Sequence, residues 1–160
     1  MCILVYLNIS NYKRISKPNN FTTEKQSEFV IIDNENTGKI LEEFVIDYKI
    51  INGYDVTYKI NELDSVTFGV LDDSTLGVCH TVLTHTGDLR GKINLNNSIK
   101  ANYTIHKIVL YHELGHWFGL GHGSCDIMCE ELDKDMVNDI VENWYMDVYS
   151  LMLLIDKINR

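Results

Sequence analysis

The stretch that decides the fold is His112-Glu113-Leu114-Gly115-His116-Trp117-Phe118-Gly119-Leu120-Gly121-His122. It closes a run from about Thr104 in which Ile105, Ile108, Val109 and His112 recur at helical spacing. A spacing of four stacks His112 and His116 on one helix face, where both ring nitrogens can meet a single ion. Glu113 lies about a quarter turn round from His112, beside that ion rather than on it. A third ligand on a continuing helix would point at the ion poorly. Gly119 removes the difficulty, because glycine readily takes the positive φ that ends a helix and turns the chain back. Gly121 adds freedom, and His122 arrives from the side. Three neutral imidazoles leave a fourth corner open, which separates reactive zinc sites from closed structural ones. A bare pair of histidines four apart is common. With Glu113, Gly119 and His122 at fixed offsets, coincidence falls to on the order of one in 10⁵.

Outward from this stretch the pattern is mixed. Upstream, Ile3 to Ile9 and Phe29 to Asp33 read as strands separated by a polar, Pro18-containing loop at residues 10–27. Thr37 offers an N-cap for a helix carrying Ile40, Leu41, Phe44, Val45 and Tyr48, which Asn52-Gly53 stops. Four strands are then predicted. The first takes Tyr54, Val56, Tyr58 and Ile60, and the second Val66, Phe68 and Val70. Gly77–Thr84 and Gly91–Leu95 follow, joined by a turn at His85-Thr86-Gly87-Asp88. After the histidine stretch, one long helix is predicted from about Asp133, with an apolar stripe from Met136 through Val141, Tyr145, Leu151 and Ile155. The order implies an α+β fold with one twisted sheet and helices packed on it.

Composition narrows the classes. A chain of 160 residues closes a core as one domain. Its net charge of −9, with no Lys/Arg cluster, argues against a nucleic-acid partner. No apolar run reaches membrane-spanning length, so no membrane partner is expected. The amino terminus lacks the basic start of a secretory leader, and the simpler expectation is an intracellular protein, secreted only if a leader has been removed. Cys2, Cys79, Cys125 and Cys129 are too few and too irregular for a disulfide framework. Cys2 or Cys125 could mask the ion as a thiolate, or Cys125 could pair with Cys129. His80, His85 and His106 read as ordinary hydrogen-bonding histidines, and Asp72-Asp73-Ser74 as a turn lacking calcium-ligand spacing.

The eleven residues match HExxHxxGxxH without a mismatch, and the chain thereby resembles the metzincin clan of zinc metallopeptidases. Met128, in Ser124-Cys125-Asp126-Ile127-Met128, sits where the clan's Met-turn methionine would. Leu76–His80 followed by Gly91-Lys92-Ile93 looks like the edge strand and next strand of a minimal matrixin-like catalytic domain, and the helix after Asp133 like the clan's C-terminal helix. No proline follows Met128, and Glu130 stands where a tyrosine ligand would. The likeness implies a zincin-type domain over residues 29–160, with 1–28 as an added strand, linker or pro-segment. It implies one catalytic Zn²⁺ on His112, His116 and His122, Glu113 as general base and Met128 as packing beneath the rings. A peptide or protein substrate would lie along Gly77, Val78, Cys79 and His80, with specificity set near Val109 and after Met128. The activity implied is endopeptidase hydrolysis. The alternative is a catalytically silent zinc module that binds peptide or protein, and Glu113 argues against it.

Overall fold

A computed structural model describes residues 31–160 apart from Asp33 and Asp73, without the side chains of Ile31 and Lys134. The predicted strand at Ile3–Ile9 and the proposed boundary at residue 28 lie outside the described residues. Strand β1 (Ile31–Ile32) leads into helix α1 (Glu35–Asn52), followed by the short helix α2 (Thr57–Ile60). Strands β2 (Leu63–Gly69), β3 (Gly77–Leu83) and β4 (Leu89–Asn96) come next, then helices α3 (Tyr103–Trp117), α4 (Lys134–Glu142) and α5 (Trp144–Asn159).

The sheet runs β1-β2-β4-β3, the first three strands parallel and β3 antiparallel to β4. It is therefore mixed, and among the described residues β3 is left at an edge. Along β4 the alternation of a half-buried strand is clear. Gly91, Ile93 and Leu95 are buried, whereas Lys92 is exposed and Asn94 and Asn96 are only partly covered. Trp117 of α3 lies against Gly91 so closely that a Cβ there would stand 2.6 Å from its ring. Helix α3 is thus pressed onto the sheet. It is covered in turn by α1 and α5, with Phe44, Tyr111 and Phe118 in edge and stacked ring contacts at the centre.

Three predicted boundaries move. The cap of α1 is Asn34, whose side chain accepts from the Asn36 N–H at 2.8 Å; Thr37 is fully buried inside the helix, 3.2 Å from His106 Nε2. The strand expected over Tyr54–Ile60 is instead helix α2. Asp55 accepts the Thr57 N–H at 2.7 Å and starts a turn, so Val56 and Ile60, four apart, are the buried residues. Tyr54 sends its hydroxyl to Asp156 on α5, a contact no strand alternation foretells. The single C-terminal helix is two. Asn143 ends α4 by donating to Asp139 O and begins α5 by accepting from Met146 and Asp147. Its side-chain amide also bonds the Asp139 carbonyl. The break rotates the stripe, leaving Tyr145 88% exposed while Val148, Leu151, Met152 and Ile155 are buried.

Candidate metal centre

Helix α3 carries the first two predicted ligands. Asn102 caps it by accepting the Ile105 N–H at 3.2 Å, and Gly115 lets it sit close above Met128, since a Cβ there would run into the methionine sulfur. The helix stops as the sequence implies. Phe118 and Leu120 donate back to Leu114 and Gly115, and Gly119 takes φ 97°. This reversal brings Leu120 O within 2.9 Å of His116 Nδ1. A second left-handed glycine, Gly123 with φ 74°, donates to Met128 O at 2.8 Å and closes the loop that follows His122.

The three imidazoles converge. His116 Nε2 stands 3.0 Å from both His112 Nε2 and His122 Nε2. The Nδ1 atoms of His112 and His116 each meet a backbone carbonyl, Ile127 O at 2.8 Å and Leu120 O at 2.9 Å. A carbonyl only accepts, so each Nδ1 carries the proton and each Nε2 presents a lone pair. Two lone pairs facing each other at 3.0 Å repel, and a cation at the shared point removes that repulsion. A tetrahedral zinc with N ligands at about 2.0–2.1 Å needs nitrogens about 3.3 Å apart, close to what is found. The residues present fit the ion. Burial above all, together with the neighbouring His116 and His122, lowers the His112 pKa to about 4 against the opposing pull of Ile127 O, so this ring is neutral at pH 7. Burial falls along the set, from His112 at 8% exposure to exposed His122. The site therefore opens toward solvent on the His122 side.

Met128 is fully buried beneath this cluster in a single 3₁₀ turn, Asp126–Met128. The turn also supplies Ile127 O, so the methionine that packs under the helix and the carbonyl that orients His112 belong to one element. Cys79, Cys125 and Cys129 are free thiols, so the contemplated Cys125–Cys129 pairing is not formed. Cys2 lies outside the described residues. His106 is buried against Thr37 and edge-on to Phe68, away from the three ligands.

Glu113 is 4% exposed and lies against the start of β3. Its carboxylate is near enough to the Cys79 backbone N–H to feel it, and a Cβ on Gly77 would stand 2.6 Å from Oε1. Burial pushes its pKa up to about 7, with the Cys79 N–H pulling down. Strand β3 can be read atom by atom. Asn96 N–H bonds Leu76 O and Thr84 N–H bonds Asp88 O, and the register between them is unbroken. Antiparallel alternation then turns the main-chain groups of Val78, His80 and Val82 toward β4. Those of Gly77, Cys79, Thr81 and Leu83 face the free edge. Of the four residues expected to line the strand, Gly77 and Cys79 thus offer outward groups, whereas Val78 and His80 spend theirs on β4. Sequence patterns carry no signal for the carbonyls of Leu120 and Ile127 or for the close contact at Gly77. A glycine opening an edge strand is the one visible hint.

A mixed sheet whose antiparallel strand lies at the edge among the described residues, a helix bearing two histidines, a glycine reversal to a third and a buried methionine turn define a metallopeptidase of the metzincin class. A family model described as metallo-peptidase family M12B, reprolysin-like, matches residues 3–123, and the chain belongs to that family. The match ends before the Met128 turn. Searches of curated proteins and of solved structures returned no match.

Proposed function

We propose that this protein is a zinc metalloendopeptidase holding one Zn²⁺ on His112, His116 and His122 and using Glu113 as general base. The observation that carries the reading is the position of Glu113. It is buried, adjacent in sequence to His112, and packed against the start of β3, the strand where an extended peptide has groups to pair with. A silent metal module has no use for a carboxylate there.

The ion, when bound, supplies Lewis acidity that polarises a carbonyl and acidifies water. The chain's own residues do the rest. Carbonyls of Ile127 and Leu120 lock two rings with Nε2 outward, which fixes the ligand set before the ion arrives. The Glu113 carboxylate takes a proton from the attacking water and delivers it to the leaving amine nitrogen. Its burial removes competing solvent, and the nearby Cys79 N–H favours its charged form. Outward main-chain groups of Thr81 and Leu83 bind the substrate backbone as an added strand. The net charge of −9 disfavours nucleic acid. Among the described residues no helix is long and apolar enough to cross a membrane.

The test is cleavage of a diverse peptide pool by zinc-loaded protein, with and without chelator, beside Glu113→Gln. Expected is chelator-sensitive cleavage inside the peptides, reduced about 10²–10⁴-fold in the variant with zinc content unchanged. A variant as active as the parent refutes the role of Glu113. Zinc binding without any cleavage by the parent, joined to peptide retention, establishes the binding-module alternative instead.

A further inference from the structure

Glu113 lies on a helix and the Cys79 N–H on a strand, so something must set the distance between them. Helix α3 and strand β3 meet at Gly77. A Cβ built on Gly77 would fall 2.6 Å from Glu113 Oε1, 2.9 Å from Glu113 Cγ and 2.9 Å from Val109 Cγ1. Separations under 3.0 Å are not tolerated by carbon, so any side chain at position 77 must push the glutamate, the valine or the strand away. Two of the three contacts are to the glutamate itself. The valine one turn earlier is 2% exposed and cannot retreat. Gly77 has no positive φ to explain its presence, as Gly119 and Gly123 do. The space is what requires glycine there.

The same strand residue cluster supplies the polar half of the seat. Two positions on, the outward Cys79 N–H favours the charged form of the Glu113 carboxylate. Gly77 thus removes the bulk that would displace the side chain from beside Cys79.

We propose that Gly77 is a positioning residue for the reaction, a steric seat that lets Glu113 lie against the edge strand at the height of the Cys79 N–H. This rests on the reading of Glu113 as the base and adds a residue that acts only through it. One consequence is a division of the strand. Its first part, Gly77 to Cys79, serves the base, and its later outward positions, Thr81 and Leu83, serve substrate.

The test is Gly77→Ala in the zinc-loaded protein, with Gly69→Ala as control. Gly69 also lies in a strand, but a Cβ there meets nothing within 4 Å. Gly77→Ala should keep full zinc content and lower kcat about 10²-fold, because a misplaced group of this kind costs that much. KM for the same peptide should stay within about threefold. Gly69→Ala should match the parent. A readout independent of activity is a double-mutant cycle in thermal unfolding of the metal-free protein. Gly77→Ala should lower the midpoint by roughly 3–10 °C in the parent, and by less than half of that beside Glu113→Ala, where only the Val109 contact remains. Parent-like kcat, or equal midpoint losses in both backgrounds, overturns the proposal. Absence of cleavage by the parent would refute the peptidase reading alone, since the cycle still decides whether Gly77 seats Glu113.

Discussion

Replacing Met128 with alanine should separate the support beneath the histidines from the histidines themselves. The side chain is fully buried, and its sulfur occupies the space that a Cβ on Gly115 would need. Removing it deletes the apolar area it hides and leaves a cavity under helix α3, which is covered by Leu151 and cannot collapse freely. Deletions of that kind cost about 2–5 kcal/mol. For a domain of this size each kcal/mol moves the melting midpoint about 2–4 °C, so a fall of roughly 5–15 °C is expected in the metal-free protein. The effect should reach the ion, because Ile127 O, which holds His112 Nδ1 at 2.8 Å, is the neighbouring backbone group in the same 3₁₀ turn. Loss of such an orienting partner weakens metal affinity about 10–100-fold. The assays are urea or thermal unfolding of chelated protein and a competition titration for zinc. Met128→Leu, which conserves volume, should cost less than about 1.5 kcal/mol and leave zinc affinity near that of the parent. Alanine with parent stability would mean that the methionine is not packed as described. Lost stability with unchanged zinc affinity would sever the link between the turn and His112.

Other perturbations address other links. His122→Ala should leave the fold intact, the residue being exposed, while weakening zinc retention by at least about 100-fold, as metal analysis after dialysis would show. Gly91→Ala sets a Cβ 2.6 Å from the Trp117 ring and 2.8 Å from Leu63, both in the core, and should destabilise by about 1–3 kcal/mol in denaturant titration with the metal ligands untouched. Glu43 yields a pH signature. Burial raises its pKa, but bonds from Lys107 at 2.7 Å and Tyr103 at 2.9 Å outweigh it and hold the folded value below the ordinary 4.5. A lowered folded pKa gives stability above the unfolded value that disappears as pH falls through the folded one. Glu43→Gln should therefore be less stable than the parent at pH 7, by at most about 1 kcal/mol, and the difference should vanish as pH falls through that lowered value. Parallel curves at both pH values would remove the Lys107 pair from the account.

The histidine cluster was legible because it sits on one helix and the reversal after it. Spacings of four and six residues, with Gly119 between, turn into geometry through local backbone rules alone, and the three Nε2 atoms duly converge within 4.8 Å of one another. The strands after Leu63 and the reversal at Gly87 were legible for the same reason, since alternation and positive-φ glycines are local signals. Tyr54–Ile60 misled because alternating aromatics fit a strand, whereas Asp55 captured the Thr57 N–H and coiled the segment with Val56 and Ile60 inward. Asn143 misled because an apolar stripe with helical period runs straight through it, and only the side-chain amide on Asp139 O marks the break.

By itself the sequence determined which three histidines come together, the glycine turn and the α+β character, all properties of residues near one another along the chain. Only the tertiary structure decided which carbonyls meet the rings, which main-chain groups of β3 face away from β4, and that Glu113 rests against Gly77. Apart from Leu120 O, four positions from His116, those contacts join residues 15 to 36 positions apart, through backbone atoms or through the absence of a side chain. Neither leaves a mark on local patterns, and both exist only once α3 is pressed onto the sheet.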